Sequence, residues 1–378
     1  MASVDPTTRS CTTRWWVGRA LGVKGCRADV RARRGCDRGF PQSMGIPRPE
    51  LPHRSASAEA RCPQLNRPIR RTTMSLRRVR GGSWLLTFVR ATREDSARIR
   101  AFLEGASSVA DISDELVDGF AEHLDGRSIG GLYLATEDGT ILATCVITVV
   151  QAHEAYLSGI RVLPERQDQD VTEEFGRFQL EEAGRLGADV VRVLVHVDNA
   201  AAHQLLQDKL GFEVVDQWAV GEINPIPAPD GTTHDAGPAW AVDRERLTAF
   251  LRAQGGVGLW SGGRETEVKS LALSELLKRV EAGGVALSPN EGAIEALALT
   301  RVQTREVLHI EYLKDLGHRL STLLDHLWSE ARAWGASRCR FGVSLGMAER
   351  LRSIVPNTEI TWRGSVLERR LPLNPSEG

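Results

Sequence analysis

Ile160-Arg161-Val162-Leu163-Pro164-Glu165-Arg166-Gln167-Asp168-Gln169-Asp170-Val171-Thr172 leads a strand into a helix through a polar turn. Upstream, Glu154–Val162 reads as a strand that stops at Pro164, because proline has no N–H to give a ladder. Downstream, a helix runs from Asp170 to about Leu186, and Gly187 ends it in the left-handed cap conformation that glycine tolerates. Val191, Val193, Val195 and Val197 then alternate, the period of a strand with one buried face. Asn199 can cap the next helix, which stops at Leu210-Gly211, and Phe212–Ile223 returns as a strand.

Working outward, Leu85–Arg90 reads as a strand, and Thr92 starts a helix through Ile99, Phe102 and Leu103. A second helix is expected over Ile112–His123. Strands Gly131–Thr136 and Ile141–Val150 follow, joined by a turn holding Asp138-Gly139, a good hairpin signal. Ser158-Gly159 fits a bulge that parts neighbouring strands, or simple close packing. A Pro-rich loop follows at 224–237.

The C-terminal part repeats the second half of this plan. Val307–Leu313 reads as a strand. A loop at Lys314–His318 enters a helix whose apolar stripe is Leu320, Leu323, Leu324, Leu327, Trp328 and Ala331. Cys339, Phe341, Val343 and Leu345 alternate as the valines did. A short helix over Met347–Ile354 and strands with Trp362 and Val366–Leu371 close the unit, with Trp218 expected in the place of Trp362 in the first copy. One architecture used twice explains this better than chance. The expected class is α/β with a mixed sheet: a disordered leader over 1–80, a first domain over 85–237 and a second over 238–378.

Composition bounds the function. The 378 residues suggest two domains of about 150 each. No apolar run reaches the roughly 18 residues of a membrane helix. The net charge of −1 hides a split: residues 1–73 hold 15 Lys/Arg against five acids, which leaves 33 of the 48 basic and 44 of the 49 acidic residues for the rest. An acidic globular part argues against nucleic-acid binding. The Arg-rich leader has neither a sustained period nor a secretory apolar core, and Met74 offers an alternative start. Four of the six cysteines lie in the leader with no metal-knuckle spacing, and Cys145 and Cys339 sit in apolar strands as buried thiols. That pattern suits a reducing cytoplasm.

Strand, polar loop, helix, strand, helix and a Gly-Phe return resembles the GNAT superfamily of acyl-CoA-dependent N-acyltransferases. The lead-in Val162-Leu163-Pro164-Glu165 and the later Asp198-Asn199 and Lys209-Leu210-Gly211-Phe212 carry the likeness. It implies acetyl-CoA or another acyl-CoA as donor, held where the sheet parts, and a small amine as acceptor. Ile160, Val162, Gln167 and Asn199 would contact the donor in the first copy, and Gly317, His318, Arg319 and Ser321 in the second. A homodimer is compatible with the sequence. The family loop is Gln/Arg-x-x-Gly-x-Gly/Ala; here Gln167 survives and every glycine is gone. Asp170 and Glu173 read as a capping box, which sets a carboxylate at the anion site. One carboxylate–phosphate pair there repels by roughly 1–3 kcal/mol. The loop of the second copy keeps Gly317 and offers Lys314, His318 and Arg319 to a phosphate instead.

Many relatives protonate the leaving thiolate with a Tyr on the helix after the fifth strand; that position here is Leu206 or Gln207. The candidates left are Glu154 and Tyr156 in the first copy and Glu311 and Tyr312 in the second, each on the strand before its loop. His203 reads as a partly exposed helix residue. Two functions stay open: an N-acyltransferase, or a binding protein of the same architecture with a decayed donor site.

Overall fold

Ser75–Arg78 (β1) pairs antiparallel with Leu85–Arg90 (β2), so chain order begins inside the segment read from sequence as leader. A four-residue strand there gives partners to the backbone edge of β2, which a sheet edge otherwise leaves open. The structure is a computed structural model that describes residues 75–78, 85–106, 120–124, 129–151, 153–166, 169–228, 235–253, 258–262, 267–304 and 306–372. Most of the helix expected over Ile112–His123 falls outside these residues.

The first half continues with α1 (Ser96–Gly105), β3 (Gly130–Glu137), β4 (Thr140–Gln151), β5 (Glu154–Val162), α2 (Gln169–Arg185), β6 (Val190–His196), α3 (Ala200–Gln204) and β7 (Glu213–Ile223). The second half has β8 (Gly237–Pro238), α4 (Arg244–Ala253), the hairpin β9 (Gly258–Ser261) and β10 (Val268–Leu271), α5 (Leu273–Glu281), β11 (Val285–Asn290), β12 (Ala293–Thr304), β13 (Val307–Asp315), α6 (Leu320–Ala333), β14 (Arg338–Ser344), α7 (Leu345–Ile354) and β15 (Thr358–Arg370). The closing strands expected at Trp362 and at Val366–Leu371 are one strand.

Among the described residues thirteen strands form one sheet in the order β1-β2-β3-β4-β5-β6-β15-β7-β14-β13-β12-β11-β8. Its centre is an exchange. The last strand of the chain, β15, lies between β6 and β7, and β7 pairs in turn with β14. Each half therefore takes its closing strand from the other. Ser365 faces Val195 as Ala219 faces Val343, which relates the halves by an approximate two-fold. By that register Trp218 corresponds to Gly364, and Trp362 to Asp216. The expected match of Trp218 with Trp362 does not hold; both rings enter one cluster with Tyr156, Val268 and Val366.

The repeat also reaches further back than its sequence suggests. Asp95 accepts from Thr92 N and pairs with Arg98, whose guanidinium donates to Gly139 O. Asp243 accepts from Trp240 N and pairs with Arg246, which donates to Gly292 O. Each half thus pins its first helix to its first long hairpin in the same way.

The alternation read from sequence sets the two faces. Val191, Val193 and Val195 pack with Phe175 and Phe178 of α2, while Val197 lies past the strand end and is exposed. The whole stripe of α6, Leu320 to Ala331, is buried on the same side of the sheet with Phe341 and Val343. The opposite face carries α1, α4, α5 and the β9–β10 hairpin. Cys145 and Cys339 are buried free thiols, and burial pushes both up from the usual thiol range. Neither should react with a soluble thiol reagent in the folded chain, a result that labelling before and after denaturation checks.

Candidate functional site

β5 and β6 run parallel and pair from Glu154–Val190 up to Leu157–Val193. Beyond that pair the strands separate. β5 goes on from Ser158 to Val162 bonded only to β4, and β6 goes on from Leu194 to His196 bonded to β15. The parting starts where the sequence marks it. Gly159 has φ +59°, and the β4–β5 register slips between Thr144 and Val146. Such a bulge re-aims the strand, and a left-handed φ favours glycine.

The second half parts in the same way after Ile310–Phe341, with a register slip at Leu299/Thr300 that leaves Glu311 as the extra residue. Its opening is spanned, however. Arg350 of α7 pairs with Asp315 at the end of β13 at 2.5 Å and donates to Gly317 O at 2.9 Å. The Asp315 side chain is fully buried. In the first half Val162 holds the place of Asp315, and α3 and the π-helical turn that follows it, Leu205–Lys209, offer Ala202 and Leu205 to the core.

The residues singled out from sequence fall into two groups. Ile160 and Val162 line the parted end of β5, and Asn199 caps α3 by accepting from Ala202 N at 3.1 Å, which leaves its amide N–H free. Gln167 lies outside the described residues. Asp170 is not the helix cap: α2 begins at Gln169, so Asp170 is exposed in the first turn, and Glu173 pairs with Arg177 rather than closing a box. In the second half Gly317 sits against Glu295, and a Cβ there would meet Glu295 Oε2 at 2.5 Å. Arg319 donates to Asn290 and lies 3.7 Å from Asp235. Together with Arg246 and Glu291 they line a cavity of about 560 Å³. His318 and Ser321 are exposed at the entry to α6.

The four candidate acid–base residues are not free to act. Glu154 is held by Arg192 at 2.9 Å and accepts from Ser270 N of the hairpin at 3.1 Å. Arg192 pairs also with Glu368 of β15 at 2.8 Å, so one buried guanidinium ties three strands. Tyr156 is buried under the hairpin; burial pushes its phenol up, and the charge of Glu267 adds to that. Glu311 is 2% exposed between Arg279 and Arg301, each at 2.8 Å. Tyr312 is buried against Gly258, where a Cβ would lie 2.8 Å from its ring. The sequence could not reveal this, because the hairpin that covers them lies more than 100 residues from Glu154.

Sequence reading passed over His196, which looks like the tail of the valine strand. It is the last residue of β6, on the parted segment and on the face away from α2. Its side chain is 30% exposed, and Asp198 N donates to its Nδ1 at 3.2 Å. Trp362 of β15 packs edge-on against it, with ring centroids 5.6 Å apart. The pattern His196-Val-Asp198 at a strand end was the available signal. Among the described residues there is no group of three or more His, Cys, Asp or Glu placed to hold a metal, and no helix is long and apolar enough to cross a membrane.

The comparisons with known proteins point the same way. No curated protein matches the chain. Among solved structures, a GCN5-related N-acetyltransferase from Sphaerobacter thermophilus is similar over 75% of this chain and 95% of its own, at 14% identity and a TM-score of 0.50. A GCN5-related glucosamine N-acetyltransferase region of a fungal multi-domain GH3 β-N-acetylglucosaminidase matches over 76% of this chain and 38% of its own, at 12% identity and a TM-score of 0.52. At these identities the likeness is one of fold. The sequence adds a family: a model of the acetyltransferase (GNAT) family matches residues 98–212, from α1 to the end of α3 and its following turn. The residues that match the GNAT acetyltransferase family, 98–212, are those of the first half that hold the parted strands.

Proposed function

We propose that the chain transfers an acyl group from acetyl-CoA, or another acyl-CoA, to a primary amine, and that the donor lies in the first opening. The observation that carries this is the separation of β5 from β6 after Leu157–Val193. Ile160 and Val162 would face the apolar arm of the donor, and the free amide of Asn199 would face its polar groups. The thioester supplies the activated acyl carbon; the protein supplies orientation and a site shielded from water. The second half acts as the structural partner, since Arg350–Asp315 spans the place its own donor would take. Asp170 remains unfavourable to the phosphates, but its exposure leaves it screened by solvent and salt.

Calorimetric titration of the full chain with acetyl-CoA tests this reading. One molecule should bind per chain. Asp170→Asn should tighten binding several-fold, and Arg319→Glu should leave it unchanged. No heat at millimolar ligand would sink the proposal, and loss of binding in Arg319→Glu would move the donor to the second half.

A further inference from the structure

The exchanged strand does more than close the sheet. Gly364 of β15 faces His196 in the ladder, and it has to be glycine: a Cβ there would lie 2.2 Å from the Trp362 ring and 2.5 Å from Val195 O. The absent side chain lets Trp362 fold over its own strand and reach His196. Trp362 is 8% exposed and lies in the cluster that buries Tyr156 and Trp218. His196 is thus seated on a wall that the C-terminal half supplies to the first opening.

Asp198 fixes the chemistry of the ring. Its N–H occupies the Nδ1 lone pair, so the neutral imidazole carries its proton on Nε2. With Nδ1 accepting from Asp198 N, Nε2 is the donor. None of the described residues accepts from it, and the side chain is partly exposed on the face from which Glu154 and Tyr156 have been withdrawn.

Resting on the acyl-transfer reading above, we infer that His196 Nε2–H recognises an oxygen next to the reacting amine of the acceptor. The acceptor class is then an amine with an adjacent carbonyl or carboxylate, such as an amino acid, an amino amide or a peptide N-terminus, rather than a plain alkylamine. Trp362 is the positioning residue that holds the ring. A site with a fixed donor discriminates against an analogue lacking the matching oxygen, because the donor is then left unpaired.

The probes are alaninamide and 3-methylbutan-2-amine, which have the same branching; the second carries methyl groups in place of the carboxamide oxygen and nitrogen. Both are assayed with acetyl-CoA in the wild type, in His196→Ala and in Gly364→Ala, and the preference is read as the ratio of kcat/KM values. Comparing variants cancels the different basicities of the two amines. His196→Ala should lower the preference for alaninamide about 10-fold, the size of one neutral hydrogen bond. His196→Gln, whose amide also donates, should restore part of it. Gly364→Ala should lower the preference by displacing Trp362, whereas Trp362→Phe should keep it, since the Trp362 Nε1–H is buried without a partner and contributes only its ring. An equal preference in wild type and His196→Ala overturns the inference, as does turnover of neither probe by a chain that binds acetyl-CoA. Failure to bind acetyl-CoA would be the failure of the functional proposal itself and is read separately by calorimetry.

Discussion

A chain ending at Asn357, without β15, is expected to lose cooperative unfolding altogether. β15 is hydrogen-bonded on both sides, to β6 and to β7. It buries Val366, Leu367 and Trp362. At roughly 1.5–3 kcal/mol for each large apolar side chain removed from water, those three account for about 5–9 kcal/mol. Net stabilities of whole proteins are only about 5–15 kcal/mol. The cut also leaves β6 and β7 as two open edges in the middle of the sheet, which invites aggregation. The loss should appear in both halves, since β7 bridges β15 to β14. Thermal unfolding followed by near-ultraviolet circular dichroism checks this. A cooperative transition retained by the truncated chain would mean that the halves close without exchange.

Arg192→Ala should be the most damaging single substitution in the first half. Arg192 is 7% exposed and holds Glu154 on one side and Glu368 on the other. Removing it leaves the largely buried Glu154 without a cation and Glu368 with only the longer pair to Arg370 at 3.6 Å. Breaking such a pair costs about 3–5 kcal/mol, which for a chain of this size lowers Tm by roughly 10 °C. The triple change to Arg192→Leu, Glu154→Leu and Glu368→Leu should recover much of that, because apolar groups of similar volume need no partner. Chemical denaturation of the three proteins measures both steps. If Arg192→Ala costs under 1 kcal/mol, the triad is not what ties β15 to the first half.

Much of the fold was legible because it rests on local periods. The valine alternation of β6, the leucine stripe of α6, the glycine ends at Gly187 and Gly335 and the Asp-Gly hairpin all depend on neighbours within a few residues. The exchange of β7 and β15 was not legible. Their patterns fit a strand beside β6 whichever half supplies it, and nothing local states which partner wins. The start of the second copy was hidden for a related reason. Its first strand is reduced to Gly237-Pro238, and the signal that survives is the spacing Asp243-x-x-Arg246 against Asp95-x-x-Arg98. For the site, Gly159 and Asn199 were readable from backbone needs. Glu154 and Tyr156 were misread as available because the β9–β10 hairpin that covers them comes from the second half. His196 was missed because its role depends on Trp362, which the same exchange brings to it.

Hydrogen exchange with and without acetyl-CoA tests the central claim most directly, since it locates the donor without an acceptor or a mutation. Saturating acetyl-CoA should slow exchange in peptides covering 158–163 and 194–206 and leave 311–318 and 342–351 unchanged. Protection confined to the second pair of segments would contradict the account, for it would mean that the donor displaces the Arg350–Asp315 ion pair and enters the other half.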